Sequence, residues 1–487
     1  MKKHRLLPLA MSLALLTVSC GNSSGQADSG QTTSSSETVQ TPAETEFQYD
    51  YPKLDCGGED FSILNTSTNW GFYTYLDFDE LTGETLDDTI FNRNRFVEDG
   101  FNVNFAIEEV NTDSMYDHYR NTIMSGDAVY DVAFCRANKM SSLILENCLW
   151  NLNDIDTFRF DNPWWNTDVM EASTIGDYDQ LFIASSDISM YGMQGTAVIY
   201  FNENLLADLN GTPPYDLVRE GKWTLDCLKE YMALGANLNG DESFAFGVGK
   251  SATYGLMSFE DVVIDLLVGA GQNYVKIDSD RLPYFAAESE QFYDAAKKIA
   301  DMLSASGEFL FLNGSADTGE HYEVAFKNDR TLMIVGQIKS ASKFRDMQSS
   351  YGILPEPKYD EDQEKYYCYR SGNTPVMSIP ITCADPERVG VIMDAMSYLS
   401  WRDVLPVFYG TTLSQKQLRN EDSLEMLEII SESRYFDVAR VYGWSDDLYT
   451  SIYNSLRAGN GDISSTVASS KTVVETNIQK TLEMLEK

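Results

Sequence analysis

From Asp60 onward, short apolar runs of strand type alternate with segments of helical spacing, and this alternation restricts the fold more than any other feature. DFSILN (60–65) is short, bounded and apolar, as a buried strand should be. GETLDDTIFNRNRFVEDGF places Leu86, Ile90, Phe91, Asn94 and Val97 on helical spacing and reaches Gly100, the expected C-cap. NVNFAIEEV reads as a second strand. DSMYDHYRNTIMSGD reads as a helix opened by Asp113 and closed at Gly126, and YDVAFC (130–135) as a third strand with a helical segment around Leu143 to Leu149. Parallel strands need crossover connections, and helices supply them, so the expected class is α/β with mainly parallel sheets.

The pattern continues less regularly. QLFIA and TAVIYFN are strand-like and flank a Gly- and Met-rich stretch, with a helix beginning at Glu203. In GKWTLDCLKEYMALG, Thr224 can cap a helix that buries Leu225, Leu228, Met232 and Leu234. Residues 331–335 and PVMSIPIT read as further strands, and the last hundred residues are mostly helical. No repeat recurs at a fixed period. With 43% hydrophobic and 12% aromatic residues the chain can build a large core. The ~430 residues of the body exceed what one core serves, so two lobes are expected.

The N-terminus has a different logic. Lys2, Lys3 and Arg5 precede an uncharged apolar run, Leu6 to Val18, that is shorter than the roughly 20 residues a membrane span needs. Positive head, short apolar core and small residues describe an export signal. It stops at Cys20, and residues 21–46 are rich in Ser, Thr, Gln and Gly. Such a tract buries too little surface to offset ordering entropy and reads as a flexible tether, reaching roughly 30 Å. The succession resembles the signal of bacterial lipoproteins, with Thr17 where leucine is usual and Leu16 one place earlier. That resemblance implies that Cys20 is acylated and becomes the mature N-terminus.

Composition and failed motifs exclude several classes. A net charge of −39 speaks against nucleic acid and against electrostatic adhesion to anionic lipid. Cys56, Cys135, Cys148, Cys227, Cys368 and Cys383 are scattered with no CxxC pair, so buried free thiols are expected, with one or two disulfides left open. After the signal only His118 and His321 remain, too few for a histidine triad or metal centre. GNSSG (21–25) lies in the tether, without the strand and helix a nucleophile elbow needs. GVGKS (247–251) has Phe244 where a phosphate loop needs glycine. NLNGDES (237–243) has Glu242 and Val248 at the calcium-loop positions that need glycine and glutamate, so a polar turn is expected. Neither a cofactor nor a metal is expected, and no catalytic motif survives.

The body, from about Gly57 to the C-terminus, resembles the family 1 extracellular solute-binding proteins of ABC importers. AVIYFNENLL looks like that family's entry into its second lobe, and GKWT like its W-T helix entry. FKNDRTLMIVGQ is similar to its F-x-x-G-x-x-A-M-x-x-x-G run, with Asn328 and Asp329 in the glycine region, and YGILPEPKYD to its return segment. The resemblance implies a two-lobed fold of the periplasmic-binding-protein type, each lobe a mainly parallel sheet flanked by helices, hinged by crossing strands. The boundaries expected are a signal at 1–20, a tether at 21–56, a first lobe of 57–192 and 360–400, and a second of 193–359 and 401–487. It implies a monomer on the outer face of the cell membrane that passes a carbohydrate, an oligosaccharide by expectation, to an ABC permease.

Ligands in such sheets lie beyond the C-terminal ends of strands. The candidate ligand residues are therefore Trp70 and Tyr73 after the first strand, Arg136 and Asn138 after the third, Tyr191 at the first crossing, and Gln337 after the second lobe's strand. Trp223, Tyr442 and Trp444 complete the set. Four of them have a second reading: Trp70 and Trp444 as core, Arg136 as an ion-pair partner of the many acids, and Trp223 as packing for its helix start. Trp444 is flanked by Gly443, Ser445, Asp446 and Asp447, which favours an aromatic wall. Three other functions remain open: a binder of a non-sugar solute, a surface glycan hydrolase or lyase using a carboxylate pair, and a sensory or adhesive module without a transporter.

Overall fold

A computed structural model describes residue 50 and residues 52–67, 76–314, 319–410 and 420–486. In chain order the strands are β1 (Glu59–Thr66), β2 (Val103–Val110), β3 (Val132–Arg136), β4 (Ala197–Asn202), β5 (Tyr254–Ser258), β6 (Val275–Ile277) and β7 (Pro283–Phe285). They continue with β8 (Phe309–Phe311), β9 (Thr331–Gln337), β10 (Tyr351–Leu354), β11 (Cys368–Tyr369), β12 (Pro375–Ser378) and β13 (Arg434–Tyr435).

The first sheet has the order β12-β3-β1-β2. β1 runs parallel to both neighbours, with Ile63 opposite Ile107 on β2 and Val132 on β3. All five residues of β3 are buried, as an inner strand covered on both faces requires. β12 returns antiparallel, Met377 opposite Phe134. The helix Thr85–Phe101 runs past Gly100 and ends at Asn102, whose φ of 49° is left-handed. Asparagine tolerates that conformation because its short polar side chain bonds locally, so it displaces glycine as the cap. The helix Met115–Ser125 ends at Gly126 as its sequence suggests, but Ser114, not Asp113, takes its N-cap position.

The second sheet has the order β10-β4-β9-β5-β8. β5 lies parallel to β8 and β9, whereas β4 is antiparallel to β9 and to β10. Four of its five strands therefore point the same way and β4 alone runs against them, so the sheet is mainly parallel with one reversed strand. β4 enters the sheet from the first crossing after the short Tyr191–Gln194 helix, whereas the Ile338–Phe344 turn carries the chain from β9 over to β10 in the same direction. Thr224 caps the helix Leu225–Gly235 by accepting the Cys227 N–H, and Leu225, Leu228 and Met232 are buried, whereas Leu234 is exposed. QLFIA forms only a bridge at Ala184 to Met377, although Leu181 to Ala184 are buried.

Two crossings run side by side between the sheets, tied by the bridges Ala184 to Met377 and Thr196 to Arg370. β11 on the second crossing pairs with β13, which the chain reaches after the helix Glu421–Glu432. The helix Val438–Tyr442 then packs on the Ala137–Lys139 turn and the Thr167–Ser173 helix. The following helices, Asp446–Arg457 and Ser464–Leu485, pack toward Glu290–Leu303, Val262–Gly269 and β7. The C-terminal stretch therefore packs both on elements that follow β3 and on helices that follow β5. The six cysteines from Cys56 to Cys383 are free thiols, five of them buried. No helix among the described residues is long and apolar enough to cross a membrane.

Candidate functional site

Strand ends from both sheets converge on the crossings. β3 ends at Arg136, and the N–H groups of Ala137 and Asn138 donate to the carbonyls of Thr374 and Gly372, both at 2.9 Å. The Asn138 amide donates to Asn373 Oδ1 at 3.1 Å. From the second sheet, β9 ends at Gln337, whose Oε1 accepts from the Tyr191 hydroxyl at 3.4 Å. Lys339 Nζ lies 5.2 Å from the centre of the Tyr191 ring. β5 leads to Asp261, whose Oδ1 accepts from the Tyr449 hydroxyl at 3.3 Å. Arg440 closes the group: a Cβ on Gly372 would lie 3.4 Å from its Nε and 3.5 Å from Asn138 Cβ. Its Nη1 binds Asp446 Oδ1 at 2.5 Å.

A second charged group lies on the same crossing. Arg370 is fully buried and its Nη1 binds Asp168 Oδ2 at 2.8 Å. Burial pushes the Asp168 carboxyl up, but Arg370 and Arg434 outweigh it and hold the group below its ordinary value. Asp187 moves the opposite way, because burial exceeds the pull of the same two arginines. Burial also pushes the Lys339 ammonium down to about 8. It lifts Asp437 to about 6 against the opposing charge of Arg440.

Several buried polar atoms here have no hydrogen-bond partner. Acceptors among them are Asn138 Oδ1, Gln194 Oε1 and Asp437 Oδ2; donors are Arg370 Nε and Nη2, Arg434 Nη1 and Arg440 Nε; Ser189 Oγ and Thr374 Oγ1 can do both. Leaving such a group unmet costs roughly 1–3 kcal/mol, so the cluster is a place prepared for polar partners.

Of the residues singled out in the sequence, Arg136, Asn138, Tyr191 and Gln337 lie at these strand ends and crossings. Arg136 is 7% exposed and donates to the Thr112 carbonyl at 3.1 Å. Trp223 lies elsewhere: fully buried at the start of its helix, it donates from Nε1 to the Pro355 carbonyl at 3.0 Å and meets the Tyr231 ring edge-on. Trp444 is also core, 1% exposed, with Nε1 on Thr481 Oγ1 at 2.9 Å and its face against Tyr442. Its polar sequence neighbours misled because Gly443 ends the preceding helix with a φ of 64°, turning the indole inward under the last helix. Tyr442 is buried and donates to the Ser173 carbonyl at 3.0 Å. Cys20, Trp70 and Tyr73 lie outside the described residues. Sequence reasoning missed Asp168, Asp187, Asp261, Arg370, Arg434 and Arg440. Arg370, the cation closing the aromatic run YYCY, carried a readable signal; the acids are lost among the 75 acidic residues of the chain.

No family model matches the chain, and no curated protein matches it. Solved structures do. An ABC substrate-binding protein from Listeria monocytogenes in complex with cycloalternan is 10% identical, with a TM-score of 0.55 over 87% of this chain and 98% of its own. A cyclo/maltodextrin-binding protein complexed with maltotetraose is 13% identical, with a TM-score of 0.54 over 90% and 98%. The GacH receptor of Streptomyces glaucescens, solved unliganded and with acarbose, is 11% identical, with a TM-score of 0.53 over 89% and 100%. The fold is that of a two-lobed solute-binding protein. The cluster described above sits on the two crossings that join the sheets.

Proposed function

We propose that this chain is a lipid-anchored extracellular solute-binding protein that captures a carbohydrate, an oligosaccharide in particular, in the cleft between its lobes and delivers it to an ABC permease. The observation that carries this reading is the set of buried unpaired donors and acceptors at the crossings, including Asn138 Oδ1, Ser189 Oγ, Gln194 Oε1, Arg370 Nε, Thr374 Oγ1 and Arg440 Nε. A sugar hydroxyl both donates and accepts, so a polyol suits a mixed set better than a purely anionic or cationic ligand does. Arg136, Asn138, Tyr191 and Gln337 belong to the proposed contacts, together with Trp70 and Tyr73 beyond β1. The sugar-bound neighbours of the same fold support the reading. The first lobe comprises 57–192 and 360–400 and the second 193–359 and 401–487; the membership of β12 in the first sheet and of β4, β9 and β10 in the second supports this division. Acylation at Cys20 holds the monomer at the membrane, and residues 21–56 tether it.

A panel of oligosaccharides read by thermal shift and calorimetry tests the proposal. A cognate sugar at a hundred times its Kd stabilises the protein by about 2.7 kcal/mol and raises Tm. The sugar is recovered intact after hours of incubation. If no glycan shifts Tm while an amino acid or peptide does, the carbohydrate reading is wrong; slow hydrolysis of a bound sugar points to an enzyme instead.

A further inference from the structure

The turn between β6 and β7 is built around an arginine in a conformation that usually calls for glycine. These two strands form a small sheet of their own in the connection between β5 and β8. Asp278 and Leu282 close the loop: the Asp278 N–H donates to the Leu282 carbonyl at 3.0 Å, and the Asp278 carbonyl accepts the Arg281 N–H at 3.1 Å. Arg281 takes the last loop position with a φ of 62°. Tight hairpin loops place a left-handed residue there, and glycine is favoured because a side chain is strained in that conformation. An arginine persists in it only where its surroundings hold it. Here hydrogen bonds to a distant helix do so. Arg281 Nη2 donates to the Thr174 carbonyl at 2.8 Å and to the Glu171 carbonyl, and the Arg281 carbonyl accepts the Gly176 N–H at 2.9 Å. Glu171 and Thr174 lie at the C-terminal end of the helix Thr167–Ser173. The last carbonyls of a helix lack partners within it, and a guanidinium satisfies them while complementing the helix dipole.

The two sides of this contact are fixed to different parts of the fold. Trp164 and Trp165, just before the Thr167–Ser173 helix, donate to Asp394 Oδ1 at 2.8 and 2.9 Å. Asp394 is on the helix Pro386–Leu399, which follows β12 and packs on Thr85–Phe101, the helix between β1 and β2. At the base of the hairpin, Tyr274 meets Phe292 with ring centres 5.7 Å apart, and Phe292 is on Glu290–Leu303, the helix that leads into β8. Compact bodies joined by a few crossing segments move relative to one another about those segments. We propose that the β6–β7 hairpin is a strap between the lobes: Arg281 ties the β5–β8 connection to the Thr167–Ser173 helix, and the lobes part only when these bonds let go. A hydrogen bond is lost beyond roughly 3.5 Å, so a displacement of about 1 Å at this point releases the strap. Its side-chain bonds go to main-chain carbonyls rather than to carboxylates. The fastening therefore needs only the permanent charge of the guanidinium and holds whatever the solute in the cleft.

Arg281→Gly and Arg281→Asn test the strap in the full chain without added solute. Glycine suits the left-handed turn, and asparagine tolerates it but is too short to reach the helix, so both keep the hairpin while removing the guanidinium. Nitroxides at Met124 and Lys229, exposed residues on the helices Met115–Ser125 and Leu225–Gly235, report the separation of the lobes by pulsed electron resonance. Introduced keto side chains carry the labels, which leaves the cysteines untouched. Hydrogen bonds from a charged donor hold a contact by a factor of about ten or more. The ratio of the longer to the shorter distance component should therefore rise by about tenfold in both variants. Distance distributions that match the natural chain in both variants overturn the proposal. If hydrogen exchange then rises only at Thr174 to Gly176, Arg281 is a local helix cap and no strap. Should one variant fail to fold, the other decides.

Discussion

Tyr442 and Trp444 stack face to face, ring centres 5.0 Å apart and planes 8° from parallel. Neither ring is free to receive a sugar. Tyr442 hangs on the Thr167–Ser173 helix through the Ser173 carbonyl and Trp444 on the last helix through Thr481, so the stack joins these two helices. Trp444→Ala should cost about 3–5 kcal/mol of stability in urea unfolding. Trp444→Phe, which keeps a ring but loses the N–H bond, should cost nearer 1 kcal/mol for that bond. Sugar affinity per folded molecule should hold in both; intact stability with weakened binding would return Trp444 to the cleft.

Arg370 and Asp168 form a pair in which one partner is fully buried and the other about a third exposed. Arg370→Met removes the ion-pair partner of Asp168 and leaves only the pull of Arg434, and a loss of about 3 kcal/mol is expected, the low end for a broken buried pair because water still reaches the acid. Denaturant midpoints measure it; a loss below about 1 kcal/mol would mean the pair behaves as a surface one.

Gly192 is set by the same guanidinium. A Cβ there would come 2.5 Å from Arg370 Nη2. Gly192→Ala should therefore displace the arginine and destabilise by about 1–3 kcal/mol. Combining it with Arg370→Met should cost less than the sum, since the clash is then gone. Strict additivity would disprove the contact.

Asp437 contributes a pH dependence of known sign. Burial raises it to about 6 in the folded chain. The proton is held in the folded state and lost in the unfolded one between about pH 4 and 6, so stability should fall across that window, by on the order of 2–3 kcal/mol, and level off above it. Asp437→Asn keeps the cap on the Ala439 N–H and should remove that slope. Superimposable stability profiles of variant and natural chain would refute the assignment.

Cys20→Ala should release the protein into the medium or leave an uncleaved precursor, seen by fractionation and mass spectrometry of the N-terminus. Normal cleavage with retention at the membrane would rule out the lipid anchor.

The sequence by itself determined the alternation of β1 to β3 with their helices, because strand and helix periods are local properties of side-chain order. It also determined the Thr224 cap and the placing of Arg136, Asn138 and Gln337 at strand ends, since the end of a buried strand must emerge from its sheet. The tertiary structure alone decided that β4 runs against the rest of its sheet, because strand direction depends on where the chain comes from and not on its pattern. It likewise decided which aromatics are core. A tryptophan is large and apolar wherever it stands, and only the placement of Thr481 and Tyr442 shows that Trp444 is covered. Buried charge was the least legible part. Arg370 and Asp168 look like solvated charges in the sequence, and their pairing joins residues 202 positions apart that the fold brings together.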